Sequence, residues 1–194
     1  MNVTKDKISS VFSQYSIPSV LGMLAISSAN IVDGFFIGNY VGDFGLAAIN
    51  ISFPIFSLLF GFALMLAIGS SVVSGKLIGQ GDIKSASIIF SKTMVCITLF
   101  SFITCTGLFL NIETVLHLFG ADENLTKIAI EYLSVILIFI PFLMIGVVLD
   151  YFVRVDNRPN LAFIALLSSA LINVILDWFL IVYLQKGIFG AALA

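Results

Sequence analysis

Charge is what this sequence has least of. Asp, Glu, Lys and Arg together make up 10% of its 194 residues, where an ordinary soluble domain carries about a quarter. Nine Lys and Arg against eleven Asp and Glu leave a formal net charge of −2. No basic surface remains to hold nucleic acid, so that class is excluded. Histidine and cysteine are equally scarce. The one histidine, His117, falls in an expected loop and reads as solvated or interfacial. Cys96 and Cys105 share one apolar run, separated on a helix by roughly 13 Å of rise, too far for a disulfide. There is no CxxC pair and no Cys/His cluster. No GxSG-type serine site or HExxH occurs, and the one GxGD match, Gly79-Gln80-Gly81-Asp82, falls in a helix-end turn without a second, paired motif, so an intramembrane enzyme is not expected. The glycine-rich stretch Gly75-Lys76-Leu77-Ile78-Gly79-Gln80-Gly81 lacks the GK[ST] order of a phosphate loop and reads as a helix end and turn.

Apolar residues fill the space that charge vacates. The chain is 60% hydrophobic, with a mean hydropathy of +1.15. A membrane span needs about 20 mostly apolar residues. Five stretches meet that length, at about 11–40, 46–78, 85–110, 125–153 and 161–184, and an apolar start at 188–194 opens a sixth. The expected fold is therefore an all-α, polytopic membrane protein with five transmembrane helices and the beginning of another. Ser13, Gln14 and Pro18 interrupt the first stretch and no A-x-A site follows it, so it reads as a membrane helix behind a short tail rather than a signal peptide. Pro18, Pro54 and Pro141 lie within spans, and Pro18 should kink its helix or mark its interfacial turn. The segment 111–124 reads as a polar loop. Ala194 stands about seven residues into an apolar helix that has not yet crossed, and the chain is expected to be part of a longer membrane protein.

Lys and Arg give the orientation. One set of loops holds Lys5, Lys7, Lys76, Lys84, Lys92, Arg154 and Arg158; the other holds only Lys127 and Lys186. The positive-inside rule puts the first set, and with it the N-terminus, in the cytoplasm, in a multi-pass protein of the inner (plasma) membrane.

An ionisable group inside the bilayer is costly and is a functional candidate by default. Asp33 on the first span and Asp177 on the fifth both lie well within apolar runs, at similar depth in the outer half. Asn173 precedes Asp177 by one helical turn and shares its face. Tyr132, on the antiparallel fourth span, reaches the same level. Carboxylate and amide oxygens are hard donors that suit a monovalent cation, and two acids sharing one low-dielectric site do not both ionise readily. A sodium ion or a proton would satisfy such a pair. The alternative is that these groups only hydrogen-bond neighbouring helices. Weaker features are the Gly34-x-x-x-Gly38-x-x-x-Gly42 stripe, which permits close helix approach, and Asp150, which could pair with Arg154 one turn later.

Several segments carry a resemblance. They are Ile17-Pro18 followed by Asp33-Gly34-Phe35-Phe36-Ile37-Gly38, then Leu46-Ala47-Ala48-Ile49, Gly79-Gln80-Gly81-Asp82 with Ala86, Asn173-x-x-x-Asp177, and the closing Gly187-Ile188-Phe189-Gly190-Ala191-Ala192-Leu193-Ala194. In this order the chain resembles the N-terminal half of the multidrug and toxic compound extrusion (MATE) family over nearly all its length, in particular the branch that includes the DNA-damage-inducible protein F type. The resemblance implies a two-lobe transporter of twelve helices, of which residues 1–194 would form the N-terminal lobe, without the C-terminal lobe. It implies export of drugs or other cationic or amphipathic toxic compounds, driven by entry of Na+ or H+ through alternating access, with no other cofactor. Asp33, Asn173 and Asp177 would bind the cation, with a backbone carbonyl from Ala191. Tyr132 would stand near the site, and Pro18 would mark a helix bend linked to protonation of Asp33. A flippase of lipid-linked saccharide precursors shares the architecture. It would more often carry cationic residues in its cavity, whereas no Lys or Arg here sits mid-span. A non-transporting membrane assembly partner is a further alternative.

Overall fold

The computed structural model describes residues 8–194, and every regular element in that range is helical. Five helices are long and apolar enough to cross a membrane: α1 (Ile8–Tyr40), α2 (Asp43–Gly79), α3 (Ile83–Leu110), α5 (Glu123–Val155), and the fifth span, which runs Pro159–Tyr183. That fifth span is composite. It is α-helical as α6 (Pro159–Asp177) and continues as a π-helix over Trp178–Tyr183. The short α4 (Ile112–Leu118) lies between α3 and α5, and α7 (Gly187–Leu193) opens the last apolar segment. The all-α, polytopic fold follows from the length of the apolar runs. The basic residues Lys5 and Lys7 lie outside the described residues.

Local signals set the helix ends. Gly42 and Gly81 adopt φ of +90° and +84°, a region open to glycine without a Cβ penalty, and each turns the chain between antiparallel spans. Asp82 caps α3 by accepting from the Ser85 amide at 3.0 Å, and Asp122 caps α5 by accepting from the Leu125 amide at 2.7 Å. Each satisfies a backbone donor that the first helical turn leaves open. Pro159 opens α6, where its missing N–H costs nothing. Pro18, Pro54 and Pro141 all sit inside helices that continue through them.

The segment 111–124 departs from the polar loop expected of it. Leu116 of α4 is fully buried, and Ile112 and Val115 pack against the same core. These three positions fall on one helical face, so burial of that face winds the segment into two turns.

α2, α3 and α5 pack mutually and hold most of the core, while α1 lies chiefly on α6 and touches the others more lightly. The α2 seam is made of small residues: Ala48, Ala63 and Ala67 have no exposed surface. They let α5 approach closely, which is how helices associate where lipid removes the hydrophobic driving force between them. Against them α5 sets Leu133, Leu137, Ile140 and Met144. Phe62 of α2 and Phe100 of α3 stack with centroids 3.6 Å apart. Of the five spans α5 is the most buried and the fifth the least, and the many exposed Leu, Ile and Phe side chains of the bundle's outer faces suit contact with acyl chains.

The glycine stripe of α1 does not mediate close packing. A Cβ on Gly34 would meet nothing within 4 Å, and one on Gly38 only the end of Leu46 at 3.5 Å. The close approach of α1 occurs lower, at Gly22, which abuts Leu166 of α6.

Candidate functional site

Asp33 lies two turns before the end of α1, and Asp177 is the last α-helical residue of α6. Because α1 packs on α6, the two acids are brought to one level of the bundle. Asp177 is completely buried. Both of its carboxylate oxygens, and Oδ1 of Asp33, are buried without a hydrogen-bond partner. Those are three of the four buried polar side-chain atoms left unpartnered among the described residues; the fourth is the Ser74 hydroxyl. Native structures pair almost all such atoms, and an orphan of this kind calls for an explanation. Carboxylates are acceptors only when ionised, so what they lack is a donor or a cation.

α6, which carries Asp177, packs on α1, which carries Asp33, and on α5, which carries Tyr132. Tyr132 is half-buried, as is Asn173, which sits one turn below Asp177 on α6. Three helices thus meet at this point. Ala191 is half-buried in α7, which packs on α5 and on the π-helix. Pro18 is buried in α1, about four turns below Asp33. No cluster of three or more His, Cys, Asp or Glu side chains able to hold a metal occurs among the described residues. The two carboxylates are hard oxygen donors, which suit a monovalent cation better than a transition metal.

The π-helix is a feature that sequence reasoning missed. It starts at Trp178, directly after Asp177. π segments are rare and concentrate at functional sites. Trp178, Phe179 and Tyr183 stack along it. It also sets its wider backbone against α7: the Lys186 amide donates to the Leu180 carbonyl at 2.9 Å, and a Cβ on Gly190 would stand 3.2 Å from that same carbonyl. Only a glycine gives α7 this approach.

The expected pair of Asp150 and Arg154 also forms, with Nε and Nη2 of Arg154 donating to the two carboxylate oxygens at 3.0 and 3.1 Å.

The MatE family model matches residues 18–179. The chain belongs to the MatE family. Multidrug export protein MepA of Staphylococcus saprophyticus is 29% identical over 189 residues, covering 95% of this chain and 42% of its own length. The protein of the same name from Staphylococcus haemolyticus is 30% identical over 185 residues, covering 92% and 40%. Among solved structures, a MATE protein in complex with MaD3S superposes with a TM-score of 0.88 at 26% identity, over 93% of this chain and 40% of that one. This MatE chain therefore spans about 40% of the length of the relatives it matches, and the match places it in their N-terminal half.

Proposed function

We propose that this chain forms the ion-binding lobe of a cation-coupled multidrug efflux antiporter. Na+ or H+ engages Asp33 and Asp177, with Asn173 and the Ala191 carbonyl completing the oxygen donors and Tyr132 beside them. The observation that carries the reading is the set of three buried, unpartnered carboxylate oxygens from two adjacent helices. An uncompensated buried carboxylate is expensive, and a structure retains it where a ligand removes the cost. The multidrug export named for the staphylococcal relatives supports a drug or other toxic compound as the transported substrate. The lysines and arginines at the α2–α3 and α5–α6 turns support a cytoplasmic position for that end and for the N-terminus.

In this mechanism the cation binds one conformation better than the other. Only that difference, a few kcal/mol for a useful bias, can drive alternating access. Filling the site changes how α1 packs on α6, lowers drug affinity and releases drug outward, with a C-terminal lobe supplying the other wall of the cavity.

The test is efflux by the gene product at its full native length in everted membrane vesicles. Asp33→Asn and Asp177→Asn should each abolish Na+- or H+-driven drug transport while the protein stays in the membrane at normal abundance. Wild-type transport in both variants would remove the site assignment. Transport of a lipid-linked saccharide instead of drug would favour the flippase reading.

A further inference from the structure

α1 is held to the rest of the bundle by very few polar contacts. Among the described residues only two side-chain hydrogen bonds join separate parts of the chain, and both grip the same turn of α1. Arg154 Nη1 donates to the Ser19 hydroxyl at 2.5 Å, and the Tyr15 hydroxyl donates to Asn157 Oδ1 at 2.5 Å. All the other side-chain bonds return to the backbone three or four residues away, apart from the Asp150–Arg154 pair within α5.

The grip is itself braced. Asp150 holds two nitrogens of the Arg154 guanidinium in a fork, which fixes the plane of the group and aims Nη1 outward. Both side chains are about four-fifths buried. The Ser19 hydroxyl in turn donates a hydrogen bond to the Tyr15 carbonyl at 2.7 Å. Asn157 is one of only two non-glycine residues among those described with a left-handed backbone, at φ +58°. That conformation costs energy, and here it belongs to the residue that receives Tyr15.

The position on α1 matters as much as the bonds. Tyr15 and Ser19 bracket Pro18. Proline removes the backbone donor that would bond to residue 14, so this turn is the weakest point of the helix. The side-chain tie to Arg154 and Asn157 falls at this same turn. From Ser19 to Asp33 the helix rises roughly 20 Å, so a tilt of about 5° at Ser19 moves Asp33 by nearly 2 Å at that rise. A displacement of that size is enough to open a cation site.

We infer that Arg154, braced by Asp150, is a positioning residue that anchors α1 at the Pro18 turn and thereby sets the placement of Asp33 against Asp177. It touches neither cation nor drug and acts through Ser19. The inference rests on the cation-site reading above.

Two measurements on the purified full-length protein test it. In the first, the half-saturating concentration of the coupling cation is read from the thermal stabilisation that Na+ gives at fixed ionic strength, or that protons give at fixed Na+. Arg154→Ala should raise that concentration roughly tenfold, the scale of a lost charge-assisted hydrogen bond. Ser19→Ala, which removes only a hydroxyl and spares the fold, should produce part of the same shift. The double variant should be no worse than Arg154→Ala alone, because both changes cut one contact. In the second, spin labels on exposed positions of α1 and α5, at Ile26 and Phe139, should give a narrow distance distribution in the wild type and a broad one in Arg154→Ala. An unchanged distribution overturns the anchor. So does a broadened distribution with unchanged cation dependence, provided that Asp33→Asn abolishes that dependence. If Asp33→Asn also leaves it intact, the cation site itself has failed, and the distance distribution alone decides whether α1 is anchored.

Discussion

Gly22 of α1 lies so close to Leu166 of α6 that a Cβ placed on it would stand 3.0 Å from Leu166 Cδ1. This is where the helix carrying Asp33 meets the helix carrying Asp177. The neighbouring atom is the free end of a flexible side chain, so a single methyl can be accommodated by rotation of Leu166. Gly22→Ala should be nearly neutral, since the gain in helix propensity of about 1 kcal/mol offsets the crowding. Gly22→Leu should destabilise by roughly 1–3 kcal/mol, the usual range for overpacking. Leu166→Ala in the same molecule should restore much of that loss. Unfolding of the purified protein in detergent reads all three, and a Gly22→Leu variant as stable as wild type would show that the seam is loose.

Gly190 poses the opposite case. The atoms that a Cβ would meet at 3.2 Å are the carbonyl carbon and oxygen of Leu180, and that oxygen is already held by the Lys186 amide. Backbone cannot rotate away as a leucine tip can. Gly190→Ala should therefore cost more than Gly22→Ala, about 1–3 kcal/mol, although both add the same methyl group. Its effect should be local. Amide hydrogen exchange should quicken over 178–193, where α7 and the π-helix dock, and remain unchanged in α2 and α3. Uniform protection across both variants would show that α7 does not depend on this approach.

The Asp82 cap gives a pH dependence with a definite sign. Its carboxylate accepts from the Ser85 side chain and amide, which holds its pKa below the ordinary 3.8. A depressed carboxyl pKa stabilises the folded state above the unfolded value, and that contribution is lost as pH falls through the folded value. The group is exposed, so the effect is small and screened by salt. The protection of amides in the first turn of α3, taken relative to the intrinsic exchange rate at each pH, should fall as the pH drops below about 4. That protection should be low already in Asp82→Ala, with no such dependence.

How much of this was legible depends on the range of the forces involved. Asp33 and Asp177 stand out because a charge within an apolar run is rare and costly, and the Asp150–Arg154 pair because it spans one turn of one helix. The Arg154–Ser19 bond joins residues 135 apart in sequence and leaves no local signature. The π-helix arises in an uninterrupted apolar stretch, WFLIVY, with no proline or glycine to announce it. What distinguishes it is a contact made elsewhere in the chain, the close approach of α7 at Gly190. α4 was masked by the polar residues between its buried positions. The glycine stripe at 34, 38 and 42 failed as a guide to packing because glycine spacing permits a close approach and does not supply the partner.

The strongest prediction concerns stability in the absence of any cation. Asp177 has no exposed surface and no partner for either oxygen. Removing a buried charge in favour of a neutral side chain of the same shape is often neutral or stabilising. Asp177→Asn should thus unfold at the same temperature as the wild type, or higher, when Na+ is replaced by a large organic cation at neutral pH. Adding the coupling cation should then separate them. A ligand at 100 times its dissociation constant stabilises the wild type by about 2.7 kcal/mol, and the variant, lacking the site, by nothing. The two arms pull in opposite directions, which a merely structural role for Asp177 would not produce. A structural aspartate would lose stability on substitution in both solutions equally. A thermal melt of wild type and variant, with and without the cation, distinguishes these outcomes, and an equal cation-induced shift in both proteins would move the binding site away from Asp177.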